Sequence, residues 1–123
     1  MAQMTLEDLL AKKEGQKTQQ TALVYLPGLG GELEIQRIPL ARYMGLTGQL
    51  DADAPDRLLD AQYELIYACC PILRNPQLQE AYACREPTEI VGKVLNENLG
   101  DMNILVTEIS KFYGVNLEED LKN

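Results

Sequence analysis

Five consecutive residues, Pro27-Gly28-Leu29-Gly30-Gly31, can lie inside neither a helix nor a central strand. Proline lacks the amide donor, and glycine gives up the most backbone freedom on ordering. They mark a reversal of the chain. The segment before them, Thr21–Leu26, reads Thr-Ala-Leu-Val-Tyr-Leu, a run rich in β-formers without a charged interruption. The segment after them, Glu32–Ile38, alternates polar and apolar residues at period two, the pattern of a half-buried strand. Together they predict a β-hairpin with Leu33 and Ile35 facing inward. A phosphate-cradling loop would need Gly-Lys-Ser/Thr and a helix after the glycines; a strand pattern follows instead.

Beyond the hairpin the periodicity is helical. Pro39 opens a short helix through Tyr43 to about Leu46. A longer helix over roughly 55–70 presents Leu58, Leu59, Gln62, Ile66 and Cys69 or Cys70, and Pro71 stops it. Asn75-Pro76 supplies a cap and a first-turn proline for a helix reaching about Ala83. Glu86-Pro87 begins another, with Ile90, Val91, Val94 and Leu95 on one face. Gly100-Asp101 separates it from a last helix over about 101–113, which shows Met102, Leu105, Val106, Ile109 and Phe112, with Gly114 just past its end. The expected architecture is α+β, an N-terminal β-hairpin followed by a small cluster of four or five short α-helices.

Chemistry-bearing patterns are scarce. Asp51-Ala52-Asp53-Ala54-Pro55-Asp56 invites a calcium reading, yet the sixth and twelfth loop positions are Asp56 and Gln62 rather than Gly and Glu. Asp53 as a helix cap with Pro55 in the first turn accounts for the stretch. The three cysteines, Cys69, Cys70 and Cys84, form neither a disulfide framework nor a zinc set. Cys69 and Cys70 lie in an apolar run and read as small core residues. The chain has no His, so no imidazole can activate a thiol or hydroxyl. No catalytic residue, metal site or cofactor is expected.

The formal net charge is −8, and all of the excess lies in residues 51–123; residues 1–50 are neutral. Such a surface repels phosphate backbones and argues against a nucleic-acid partner. No apolar run approaches the roughly 20 residues of a membrane span, and the opening residues lack the order of a signal peptide. A cytoplasmic protein without a membrane partner is expected.

The N-terminal segment stands apart. Thr5 and Asp8 resemble a capping box, and Leu6, Leu9 and Leu10 share one helical face. The helix should run to about Glu14 and stop at Gly15, followed by a polar tether, Gln16–Gln20. The organisation expected is an amphipathic helix over 1–15, one α+β domain over 16–114 and an acidic tail over 115–123. A helix this short is marginal alone, so it docks either loosely on the chain's own body or on another molecule, and self-association through its leucines is expected.

The succession of these segments resembles the XkdN-like phage tail assembly chaperones. The matching pieces are Met4-Thr5-Leu6-Glu7-Asp8-Leu9-Leu10-Ala11-Lys12-Lys13, the turn Leu29-Gly30-Gly31-Glu32-Leu33, the run Leu65-Ile66-Tyr67-Ala68-Cys69-Cys70-Pro71-Ile72-Leu73 with Leu78 after it, and Glu86-Pro87-Thr88-Glu89-Ile90-Val91. Residues 51–56 stand outside the resemblance. It implies a non-enzymatic protein of the bacterial cytoplasm that binds the long helical tape measure protein and keeps it soluble. Tail tube subunits, a second candidate partner, assemble around that client, and the chaperone is absent from the finished virion. The competing class is a structural tail-completion or connector protein retained in the particle. The apolar faces offered to a partner are Leu6, Leu9 and Leu10 near the N-terminus, and Leu105, Ile109 and Phe112 near the C-terminus; the second set reads more readily as core, and the first is the better candidate because its tether gives it no obligatory place in the core.

Overall fold

The computed structural model describes residues 3–17, 20–48 and 55–115. The elements run α1 (Leu6–Lys17), β1 (Thr21–Leu26), β2 (Gly31–Gln36), α2 (Leu40–Thr47), α3 (Pro55–Cys69), a 3-10 turn (Pro71–Arg74), α4 (Pro76–Ala81), α5 (Glu89–Val94) and α6 (Leu99–Lys111). The fold is α+β, with one antiparallel hairpin and five α-helices after it.

The hairpin pairs Val24 with Leu33 and Leu26 with Gly31. Val24, Leu26, Leu33 and Ile35 are buried, so the inward face is the expected one. Gly30 takes a φ of +80°, a conformation that L side chains seldom adopt, and its N–H closes the turn on the Leu26 carbonyl at 2.8 Å. The second strand ends at Gln36, two residues before the expected Ile38. The Arg37 N–H still reaches the Gln20 carbonyl at 2.7 Å, and just beyond it Tyr113 Oη donates to the Ile38 carbonyl at 2.7 Å and accepts from its N–H at 3.0 Å.

Helix α3 is the centre of the packing and touches α2, α5, α6 and the 3-10 turn. Its buried face carries Ala61, Leu65, Ile66, Ala68 and Cys69. The expected stripe was rotated, since Leu59 is exposed and Gln62 only half-buried. Ile66, Cys69 and Cys70 of that stripe are fully buried and Leu58 half-buried, while Ala61, Leu65 and Ala68 complete the inward face. Pro71 ends α3 as expected, and the Arg74 guanidinium donates to the Ala68 carbonyl at 2.7 Å, satisfying one of the helix's last acceptors. The 3-10 turn, absent from the sequence reading, buries Leu73 completely.

The cap at Asn75 is present, its Oδ1 accepting from Gln77 N–H at 2.8 Å. Three boundaries move. Helix α1 passes through Gly15 to Lys17, because the ~1 kcal/mol penalty of an internal glycine does not by itself end a helix. Helix α5 begins at Glu89, after Pro87. Helix α6 begins at Leu99, so Gly100 and Asp101 lie in its first turn, where Asn98 Oδ1 caps Asp101 N–H at 3.0 Å. Gly114 past its end has a φ of +78°. Asp51 and Asp53, and the tail from 116, lie outside the described residues.

Candidate partner-binding surface

Thr5 and Asp8 form the capping box reciprocally. Asp8 Oδ2 accepts from Thr5 N–H at 3.0 Å, and Thr5 Oγ1 accepts from Asp8 N–H at 3.2 Å. Those bonds hold the Asp8 carboxyl below its usual range. The helix they start makes no substantial contact with any other element. Leu6 is 73% exposed, Leu9 57% and Leu10 59%. This capped helix thus carries an apolar stripe with no place in its own core.

The other expected face is different. Leu105 and Ile109 are fully buried within the cluster formed by α3, α6 and the hairpin, and Phe112 is half-buried against it. Leu105 and Ile109 are core residues, correcting the expectation that they meet a partner. The helical stripe of α6 faces inward because α6 spans between α3 and β1.

Further exposed apolar side chains sit where the sequence reading had placed no partner. The outer face of the hairpin carries Leu23, 65% exposed, and Tyr25, 59% exposed, directly opposite Glu34 and Glu32. The alternation of β2 gives the glutamates' side of the strand; β1 is apolar throughout, so only the register assigns Leu23 and Tyr25 to the solvent face. On α2, Leu40 and Met44 are exposed one turn apart. A shallow open depression is lined by Ile72, Asn75, Gln77, Leu78 and Ala81, and another by Tyr63, Tyr82, Glu89, Gly92, Lys93, Asn96 and Glu97.

The polar interior is structural. Tyr43 and Tyr113 stack with ring centroids 4.0 Å apart, Arg37 lies 5.2 Å over the Tyr113 ring, and Tyr43 Oη shares a 2.8 Å hydrogen bond with Ser110. Burial pushes the Tyr113 phenol up, while its bond to Ile38 pulls it partly back. Burial likewise raises Cys69 to about 11 and Cys70 to about 12, leaving both as inert thiols at neutral pH. Among the described residues, no group of three or more Cys, Asp or Glu stands close enough to hold a metal ion. No helix there is long and apolar enough to cross a membrane.

No protein-family model, curated protein or solved structure matches this chain.

Proposed function

We propose that this protein is a phage tail assembly chaperone that binds the tape measure protein in the bacterial cytoplasm and keeps it soluble until the tail tube forms. The order of its segments supports the reading, as does its net charge of −8, which suits a solubilising carrier. The observation that carries it is the exposed stripe of Leu6, Leu9 and Leu10 on a capped helix outside the core. Such a stripe suits the apolar turns of a long helical client. Binding through one short helix is also weak enough to be reversed when tube subunits arrive.

The test is co-expression with a tape measure protein of the same phage. Wild-type chain keeps the client in the soluble fraction. Leu6→Asp/Leu9→Asp stays folded by circular dichroism and leaves the client insoluble. If that folded variant solubilises the client as well as wild type, α1 is not the client site and the proposal loses its support.

A further inference from the structure

In a sheet of two strands, each strand has one edge in the ladder and one edge turned away from it. The Arg37 N–H donates to the Gln20 carbonyl at 2.7 Å, so these two opposed residues form a bonded couple. Bonded couples recur at every second residue of an antiparallel ladder, which assigns Ala22 to Ile35 and Val24 to Leu33. Thr21, Leu23 and Tyr25 therefore aim their backbone N–H and C=O groups away from β2. Glu32, Glu34 and Gln36 aim theirs away from β1. Among the described residues no hydrogen bond reaches the outward groups of Leu23 or Tyr25. Helix α6, the other element with substantial contact to β1, shares the core cluster that Val24 and Leu26 enter.

The two open edges differ in charge. Strand β2 exposes Glu32 and Glu34, whereas β1 reads Thr-Ala-Leu-Val-Tyr-Leu and holds no charge at all. A charged edge resists pairing, and a bare apolar edge is a template for another strand. Two β2 edges brought together would set glutamate against glutamate. The charge of the whole chain selects the occupant. The excess of −8 lies in residues 51–123, where a basic partner is attracted and a second copy is repelled. Residues 1–50 are neutral, so two copies meet there without that repulsion. Strand β1 is also complementary to itself. Laid antiparallel with Leu23 opposite Leu23, each Thr21 meets a Tyr25, and the outward groups of all three residues find partners.

We propose that the β1 edges of two copies pair antiparallel about a two-fold axis at Leu23, joining the two hairpins into one continuous sheet. About six backbone hydrogen bonds form across the junction. Leu23 and Tyr25 of both copies then make one apolar strip down the middle of the outer face. The strands left at the margins are the two copies of β2, whose exposed glutamates stop growth at the dimer. The contact uses neither α1 nor a client, so its test is independent of the chaperone reading.

The experiment combines sedimentation equilibrium with amide hydrogen exchange on the purified full chain, without client. Wild type gives a dimer. As the dimer fills with rising concentration, exchange at the Leu23 and Tyr25 amides slows by ~10-fold or more, while the Glu32 and Glu34 amides stay fast. Leu23→Lys and Leu23→Glu each place like charges on the axis and weaken dimerisation by ~10-fold or more. An equimolar mixture of the two variants, opposite in sign at that position, associates within ~3-fold of wild type. Leu6→Asp/Leu9→Asp dimerises as wild type does. Circular dichroism and urea midpoints confirm that the variants are folded, and the exchange measurement needs wild type alone. A wild type that stays monomeric overturns the proposal. So does a dimer whose Leu23 and Tyr25 amides exchange as fast as in the monomer, or one that slows Glu32 and Glu34 instead. Dimerisation indifferent to both charged variants, a mixture as weak as its components, or a dimer lost in Leu6→Asp/Leu9→Asp overturns it equally.

Discussion

Placing a carboxylate where it is only 2% exposed is costly unless hydrogen bonds replace its water, and Asp101 receives them from the hairpin turn. Its Oδ1 accepts from Gly28 N–H at 3.1 Å and its Oδ2 from Leu29 N–H at 2.9 Å. A residue in the first turn of α6 thereby fixes a turn more than 70 positions earlier. Gly28 is the matching half. A Cβ there would meet Asp101 Oδ2 at 2.6 Å and press on the Asn98 side chain, and both groups are already committed, Asn98 to capping α6 and Asp101 to the turn. Asp101→Ala should cost about 3 kcal/mol, since it removes two charge-assisted bonds and leaves two donors unpaired. Gly28→Ala should cost about 1–3 kcal/mol, the usual range for forcing atoms into a packed site. Gly31→Ala should cost under about 1 kcal/mol, because nothing lies within 4 Å of the added carbon. Urea midpoints of the three variants check the ranking, and equal losses would refute it.

Helix α1 contributes little packing to the rest of the chain, so removing residues 1–17 should leave the urea midpoint within the equivalent of about 0.5 kcal/mol. The measurement is made at concentrations where the chain is monomeric. A large loss would mean that α1 is core after all. The same helix shows what periodicity can and cannot convey. Its stripe was legible because a capping box and a polar tether isolate it from other apolar residues. In α6 the identical pattern of Leu105 and Ile109 belongs to the core, and spacing cannot tell an inward stripe from a partner-facing one. The hairpin was legible because a run of proline and glycine separates two unlike strand patterns, although Gly31 itself opens β2. The phase of α3 was legible only in part: Ile66 and Cys69 are buried as expected, but Ala61 and Ala68, which carry weak apolar signal, complete the inward face with Leu65, and Leu59 turns out of it. The 3-10 turn at Leu73 and the start of α6 at Leu99 depend on local hydrogen bonds of Arg74 and Asn98 rather than on any repeat. The outer hairpin face became visible only with the register, which opposes Leu23 to Glu34 and Tyr25 to Glu32.

Cys69 and Cys70 report on the whole molecule, because they are fully buried in the cluster to which the hairpin, α2, α3, α5 and α6 all contribute. No single element can move aside to expose both. Burial is the largest cause of each raised thiol, with Cys69 adding to the rise at Cys70 and Arg74 opposing it at both. The folded protein thus holds these protons more tightly than the unfolded chain, whose thiols titrate near 9.0. Below that pH the two states bind them equally and the full stability is present. As pH rises above it the unfolded chain loses its thiol protons first, so stability falls progressively towards the folded values of about 11 and 12. The raised phenols of Tyr63 and Tyr113 act in the same sense. Urea unfolding should therefore give a free energy that is flat between pH 7 and about 8.5 and declines above about 9. Cys69→Ala/Cys70→Ala should begin less stable, by about 1–2 kcal/mol for the space left behind, yet decline less steeply, since among the described residues the raised groups left are Tyr63 and Tyr113. A decline equally steep in the variant would assign the alkaline loss to other groups. Thiol labelling at pH 8 supplies the companion measurement. Half-buried Cys84 should react in the native state, whereas Cys69 and Cys70 should react only at the rate of global unfolding and slow together when any core contact is strengthened. Labelling of the pair faster than global unfolding would show that the core opens locally.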